Sequence, residues 1–313
     1  MSLELPKLVL TGGLGNQLFQ YAYALDRYGP GKFAIRGLVG NPRLNQSGLP
    51  EIFSFNITEG IDQKISKTTL MSKFAVRNSL RLSSHGRDDI LGKSLFRGVD
   101  LTGRFLGKFG LSWRVHLGEG TGYFESKEDT IAMETVIGCF HSYVWASKVS
   151  TRSLLRSMKL INKPNWLSVL QQEASEISPV IVHVRRSDYT QISELGFVKL
   201  DYYWTQMRDF LRNQPATKFW LFSDDFKEVL RTMPTDLIQK TKCIDFDQDN
   251  AAANLMAMRL GRAYILSNST FSWWGAFLSY SGSPTVRIPS RWYKTGASPA
   301  KIYPPTWELV EVE

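Results

Sequence analysis

Residues 180–189 read VIVHVRRSDY, and their pattern indicates the fold class. It begins with a β-branched run that is typical of a strand buried on both faces of a parallel sheet. Four more strands are predicted downstream: KFWLFS (218–223), KCIDF (242–246), AYILS (263–267) and TVRIP (285–289). Helices are predicted between them, at 200–213, after Asp225, at 250–260 and at 271–281. Strand and helix therefore alternate, which predicts an α/β fold with a doubly wound parallel sheet.

The amino-terminal part predicts a second strand–turn–helix unit. KLVLT (7–11) indicates a buried strand, and the helix QLFQYAYALDRYG follows a glycine-rich turn. That turn, GLGNQL (13–18), departs from the dinucleotide fingerprint GxGxxG at its last position, which argues against a dehydrogenase. We expect Gly13 and Gly15 to allow close backbone approach, and Asn16 and Gln17 to face a ligand crevice.

Length and composition indicate two domains. A chain of 313 residues exceeds the roughly 250–300 at which single cores tend to split, and we predict domains at 1–163 and 164–313. The two cysteines exclude a disulfide framework and a cysteine-rich zinc site. No stretch of about 20 apolar residues and no signal-peptide pattern is present, so we expect a cytoplasmic protein.

The excess positive charge is concentrated in one segment. The formal net charge is +9, and residues 64–114 contribute +8 of it with eleven basic and three acidic residues. Within this segment Lys73, Arg77 and Arg81 recur every four residues, which would form one basic stripe on a helix. The stripe is either a solvated face or a surface that meets anionic lipid or phosphate. Nucleic acid is disfavoured because the rest of the chain is nearly neutral.

Polar clusters follow three of the predicted strands. They are His183, Arg185, Arg186, Asp188 and Tyr189; Ser223 and Asp224; and Asn268, Ser269, Thr270, Phe271 and Ser272. Ligands of open parallel sheets bind beyond the carboxyl ends of the strands, so these clusters should surround one crevice. Guanidinium forks and a helix N-terminus both suit phosphate oxygens. Alternatively, one arginine pairs with Asp188 and the Ser/Thr run only caps a helix.

Two further features have open interpretations. The acidic run around Asp245, Asp247 and Asp249 has spacings that could hold a divalent cation with a nucleotide, or it is simply solvated. His141 could act as a base or an acceptor contact, or it could be a structural histidine beside aromatic residues.

Three stretches, GGLGNQLFQYA (12–22), HVRRSDY (183–189) and SNSTFSWWGA (267–276), together resemble glycosyltransferase family 11 in its bacterial α-1,2-fucosyltransferase form. The resemblance implies a GT-B-like architecture, with two Rossmann-like domains facing a cleft. The amino-terminal domain would carry acceptor-side loops, and the carboxyl-terminal domain would bind the donor. It implies inverting, metal-independent transfer of L-fucose from GDP-fucose to the 2-hydroxyl of a terminal β-galactoside, with no cofactor.

The resemblance also assigns roles. Arg185 would hold the donor β-phosphate, Asn16 would lie near the phosphate and the reacting sugar, and the segment Ser269-Thr270-Phe271 would contact the nucleotide. The sequence departs from the family at Asn254, where family members commonly carry an acidic residue that could accept from guanine.

Several alternatives stay open. Asp188, His141 or the departing phosphate could take the acceptor's proton. Asn254 raises the option of a different nucleotide sugar, and a non-catalytic sugar- or nucleotide-binding protein is a further alternative. Bacterial enzymes of this kind commonly build polysaccharide on lipid-pyrophosphate carriers, so the basic stripe could contact the inner membrane face.

Overall fold

The computed structural model describes residues 5–10, 12–37, 53–54, 114–117, 134–186, 198–245, 250–293, 298 and 301–312. The chain divides into two compact units. The first is Met1–Lys159 with Pro299–Tyr303, and the second is Leu160–Ser298 with Pro304–Glu313.

The sequence predicts one boundary, between residues 163 and 164. In the structure the first unit ends at Lys159, and the later segment Pro299–Tyr303 also belongs to it. In this segment the carbonyl of Lys301 accepts from the main-chain N–H of Tyr143 at 2.9 Å, and the Ile302 side chain is fully buried. No change of composition marks this segment, because a main-chain hydrogen bond to a distant residue leaves no trace in the local sequence.

The first unit contains a parallel sheet in the order β2-β1-β5-β4. Its strands are β1 (Lys7–Leu10), β2 (Ala34–Gly37), β4 (Arg114–Leu117) and β5 (Glu134–Ile137), and a short strand β3 (Phe53–Ser54) lies outside this sheet. The described helices are α1 (Leu14–Tyr28), α2 (Tyr143–Ser147) and α3 (Val149–Arg156). The short strand β6 (Lys159–Leu160) follows α3.

Among the described elements of the first unit, helix α1 packs against β1, α2 and α3. Most of its residues are buried, including Phe19, Tyr21 and Tyr23. Tyr23 stacks on Phe140 with 4.0 Å between ring centroids. Because Phe140 follows β5, this aromatic pair fixes the helix against the loop at the carboxyl end of that strand.

The second unit contains a six-stranded sheet in the order β12-β11-β10-β7-β8-β9. Its strands are β7 (Val180–Val184), β8 (Phe219–Ser223), β9 (Thr241–Cys243), β10 (Ala263–Ile265), β11 (Thr285–Pro289) and β12 (Glu308–Val310). Its described helices are α4 (Asn165–Ile177), α5 (Leu200–Asn213), α6 (Phe226–Thr232), α7 (Thr235–Ile238), α8 (Ala251–Met258) and α9 (Thr270–Phe277). All five pairings in this sheet are parallel.

The strand order places a topological switch point between β7 and β10. From β7 the chain runs outward through β8 and β9, and it then returns to β10 on the other side of β7. Every residue of β7 and β8 is buried, as expected for central strands covered on both faces. The predicted α/β class is confirmed, with parallel sheets in both units. No helix among the described residues is long and apolar enough to cross a bilayer.

Candidate functional site

The candidate site of the second unit lies at the carboxyl ends of β7 and β10, where an open parallel sheet binds its ligands. His183 Nδ1 and Ser267 Oγ are 2.9 Å apart, and both side chains are buried. The Tyr202 hydroxyl donates to the neighbouring Leu266 carbonyl at 3.2 Å, and burial raises the pKa of this phenol, which keeps it protonated. The first contact joins the two strand ends, and the second joins helix α5 to the end of β10. Ser267 was not singled out from the sequence, because its role depends on the pairing of distant strands.

Arg185 and Arg186 follow β7 and share one carboxylate. Arg185 Nε lies 3.2 Å from Asp224 Oδ2, and the main-chain N–H of Arg186 donates to Asp224 Oδ1 at 2.8 Å. The Arg185 side chain keeps 31% of its surface exposed, against 14% for Asp224. A contact through Nε orients the planar guanidinium, whose Nη groups are the pair suited to bidentate contact with phosphate.

The pairing with Asp224 follows from strand register. Val184 is opposite Ser223 in the parallel pair of β7 and β8, so the next residues, Arg185 and Asp224, are neighbours. From the sequence, Asp188 is the alternative structural partner for one of these arginines. Asp188 and Tyr189 lie outside the described residues, and their roles stay predictions.

Helix α9 begins at Thr270, directly after β10 and its polar loop. Ser269 is the N-cap residue, and its side chain makes no capping hydrogen bond. The first N–H groups of an α-helix have no acceptor within the helix, and the helix dipole makes this end attractive to anions. Thr270 and Phe271 are half-buried at this end. The helix start and the Arg185 guanidinium therefore follow neighbouring strands at the same edge of the sheet.

Three other residues that the sequence predicts to contact the nucleotide-sugar donor make hydrogen bonds within the protein. Asn268 Nδ2 donates to the Trp292 carbonyl at 2.7 Å, and the Ser272 hydroxyl donates to the Ser269 carbonyl at 3.3 Å. Ser223 Oγ accepts from the main-chain N–H of Asp225 at 3.0 Å. These side chains are buried, so their first role is to hold the loops in place. Contact with a ligand stays a prediction for each of them.

Asn254 lies in the interior of α8 and is buried. Its helix packs against α9 at the close approach of Gly275 to Met258, where a Cβ on the glycine would lie 2.8 Å from the Met258 Cβ. Asn254 is therefore a buried residue of a helix that packs against α9.

In the first unit, the predicted residues gather at the carboxyl ends of the adjacent strands β1 and β5. Asn16 Oδ1 and His141 Nε2 are 3.1 Å apart, although 125 positions separate them in the chain. Gln17 Nε2 donates to the Gly12 carbonyl at 3.0 Å, which ties α1 to the preceding turn. Gly12 has a φ of +72°, in the region that favours glycine.

His141 is almost fully buried, with 6% of its surface exposed. Burial lowers its pKa to about 4, because the charged imidazolium is poorly solvated there. The ring is therefore neutral near pH 7. Gly13 precedes α1 as its N-cap, and Gly15 is buried in its first turn.

The remaining candidates are dispersed or undescribed. Asp245 is exposed, while Asp247 and Asp249 fall outside the described residues, as do Lys73, Arg77 and Arg81. In the described part of the chain, no three His, Cys, Asp or Glu side chains lie close enough together to hold a metal ion.

Comparison with known proteins identifies the class. The family model described as glycosyl transferase family 11 matches residues 126–311, which is more than half of the chain. The chain belongs to this family, and it is a glycosyltransferase.

Two curated relatives from Escherichia coli match over nearly their full lengths. The O-antigen biosynthesis glycosyltransferase WbnK is 25% identical over 321 residues, covering 95% of this chain and 98% of the relative. An alpha-1,2-colitosyltransferase is 25% identical over 317 residues, covering 91% of each.

Among solved structures, the NodZ alpha-1,6-fucosyltransferase co-crystallized with GDP matches with a TM-score of 0.50 and 15% identity. The match covers 89% of this chain and 93% of that one. Another NodZ structure gives its source as Bradyrhizobium. At this identity the similarity supports the GT-B-like fold that the sequence predicted.

Proposed function

We propose that this glycosyltransferase moves L-fucose from GDP-fucose to the 2-hydroxyl of a terminal β-galactoside, with inversion and without a metal or cofactor. Two observations at the switch point of the second unit carry the proposal: Arg185 is oriented by a carboxylate, and helix α9 begins after the neighbouring strand without a side-chain cap. Arg185 contacts Asp224 through Nε, and Ser269 leaves the start of α9 without a side-chain cap.

This arrangement suits a diphosphate leaving group. As the bond from the sugar C1 to the β-phosphate oxygen breaks, negative charge grows on the phosphate and positive charge on the sugar ring. A guanidinium and a helix N-terminus already aimed at the phosphate stabilise that charge without reorganising. Groups of this kind are each worth roughly 3–4 kcal/mol in comparable sites.

The acceptor hydroxyl completes the reaction. Its oxygen forms the new bond to C1, its proton goes to a base, and GDP leaves with the electron pair of the broken bond. We propose Asp188 as the base, with removal by the departing phosphate as the alternative. His141 does not suit this role, because its Nδ1 is shielded from solvent and its Nε2 contacts Asn16. Asn16 is proposed to contact the reacting sugar.

Different relatives support different parts of the proposal. NodZ was crystallized with GDP, which supports a guanine nucleotide donor in this fold. One Escherichia coli relative is named an alpha-1,2-colitosyltransferase, which supports an α-1,2 linkage. The other is named an O-antigen biosynthesis glycosyltransferase, which supports an acceptor that belongs to an O-antigen.

A second candidate donor is another GDP-linked 6-deoxy sugar. One relative is named a colitosyltransferase, and Asn254 stands where an acidic residue is common in the family. Both candidate donors would bind through the same phosphate site, and they differ only in the sugar that the enzyme transfers.

The proposal is tested by incubating the protein with labelled GDP-fucose and a panel of terminal galactosides, with GDP-colitose in parallel. We expect labelled fucose on the galactose 2-hydroxyl, identified by NMR of the product. Arg185→Ala should lose this activity and retain the fold, while Arg208→Ala, which removes an exposed arginine paired with Asp236, serves as the charge-matched control. Turnover of neither donor with any acceptor would contradict the proposal.

We further propose that the basic stripe brings the enzyme to anionic membrane, where a lipid-linked acceptor would be located. Electrostatic attraction predicts that binding rises with the fraction of anionic lipid and falls with salt. Co-sedimentation with vesicles of increasing phosphatidylglycerol content tests this, with Lys73→Glu/Arg77→Glu/Arg81→Glu as the variant. Sedimentation indifferent to lipid charge would contradict it.

A further inference from the structure

The hydrogen bond between His141 and Asn16 determines the tautomer of the histidine. The Asn16 atom in this contact is Oδ1, which can only accept, so His141 Nε2 carries the hydrogen. In a neutral ring Nδ1 then holds a lone pair. Burial lowers the pKa of His141 to about 4, so the neutral form is the one present near pH 7.

The lone pair on Nδ1 is a structural disadvantage. The atom is buried, and among the described residues it has no hydrogen-bond partner. A buried polar atom without a partner loses its hydration and gains nothing in return. Phe19 lies edge-on to the ring with 5.2 Å between centroids, so part of this environment is apolar and would suit a phenylalanine better.

The backbone that presents His141 is also strained. Phe140 has a φ of +52°, which is unfavourable for a bulky side chain. The strained conformation is held by the stacking of Phe140 on Tyr23 and by a 2.7 Å bond from the main-chain N–H of Ser142 to the Phe140 carbonyl. Strain of this kind persists only where the surroundings impose it, and it concentrates at functional sites.

Asn16 is held on both sides of its amide. His141 Nε2 lies 3.1 Å from Oδ1, and on the other side the Gly12 backbone lies so close that a Cβ there would be 2.7 Å from Nδ2. Within the described residues, the hydrogen bond to Asn16 is the favourable polar contact of the His141 ring. It offsets part of the energetic cost of the strained Phe140 backbone and of the buried Nδ1.

We propose that His141 is a positioning residue for Asn16: its Nε2–H fixes the side-chain amide so that Nδ2 is presented as a donor to the ligand. The catalytic consequence rests on the proposed function, in which Asn16 contacts the reacting sugar. The assignment itself, a fixed amide held by a neutral histidine, does not depend on which sugar is transferred.

The test compares His141→Phe, His141→Gln and His141→Asn with the wild-type protein, by melting temperature and by steady-state kinetics with GDP-fucose. Gln places an amide nitrogen near the position of the histidine Nε2, whereas Asn is too short to reach it. We expect H141F to stay folded with a melting temperature near the wild-type value, since it removes the isolated Nδ1 together with the hydrogen bond to Asn16. Its kcat should nevertheless fall roughly 10–100-fold, because a slightly misplaced group is costly in a transition state.

Rescue distinguishes positioning from packing. H141Q should recover most of the kcat that H141F loses, and H141N should not. If kcat falls in proportion to melting temperature across all three variants, or if H141F is as active as H141Q, the positioning role is wrong.

A readout without turnover separates this inference from the proposed function. In two-bond ¹H–¹⁵N NMR spectra, His141 should show the neutral Nε2–H tautomer at pH 7, and the Asn16 side-chain amide should keep a distinct shift in H141Q and lose it in H141F. A wild-type protein that turns over no donor but shows these signals would refute the proposed function alone. An Nδ1–H tautomer would refute this inference alone.

Discussion

Acidification should destabilise the protein through His141. Its pKa is about 4 in the folded chain and 6.5 in the unfolded chain. Between pH 4 and pH 6.5 the histidine is therefore mostly protonated in the unfolded state and mostly neutral in the folded state. The histidine's contribution to stability is therefore fully present above pH 6.5 and is lost as the pH falls toward 4. Linkage gives a loss of about 2 kcal/mol between pH 7 and pH 5 from this one group.

The assay is urea-induced unfolding of the wild-type protein and of H141Q at pH 7 and at pH 5. All other titrating groups are common to both proteins, so the difference between their losses isolates His141. We expect the wild-type protein to lose about 2 kcal/mol more than H141Q. Equal losses would mean that the imidazole is not buried in its neutral form, and a smaller loss for the wild-type protein would mean that the folded state favours the charged ring.

Three other expectations follow from the site. Asp224→Asn should lower kcat/KM roughly tenfold relative to Arg208→Ala, because an amide offers one acceptor oxygen where the carboxylate serves both Arg185 and the main-chain N–H of Arg186; steady-state kinetics would contradict this if the two variants matched. Gly12→Ala should destabilise the protein by about 1–2 kcal/mol, since its φ is +72°, and it should lower kcat by displacing the Asn16 amide; a melting temperature equal to the wild-type value would refute the strain. EDTA should leave transfer unchanged, because guanidinium and helix N–H groups neutralise the phosphate charge; a complete loss that Mn²⁺ restores would revive the cation interpretation of Asp247 and Asp249.

The second half of the chain could be predicted well because its signals are local. A run such as VIVHV determines a central strand from its own composition, and the structure has β7 at Val180–Val184. The helix predicted at 200–213 is α5, Leu200–Asn213. Between 30 and 120 no comparable hydrophobic periodicity exists, so beyond the basic stripe the sequence predicted no elements there.

The partners within the site were not predictable from local patterns. Arg185 is adjacent to Asp224 because of the register of two paired strands, and a register shift of one residue would have paired different side chains. His141 meets Asn16 through the adjacency of β5 and β1, which the chain order alone does not reveal. The sequence could name these residue types as candidates, but only the strand order could join them.

We propose that the second unit binds a nucleoside diphosphate at the carboxyl edge of its sheet, through Arg185. Titration calorimetry with GDP on the wild-type protein, Arg185→Ala and Arg208→Ala measures this without an acceptor. We expect GDP to bind the wild-type protein and R208A with similar Kd, and the Kd to rise roughly tenfold or more in R185A, as for a lost charge-assisted contact of about 1.5–3 kcal/mol. Equal GDP affinity in R185A and the wild-type protein would show that Arg185 does not bind the diphosphate.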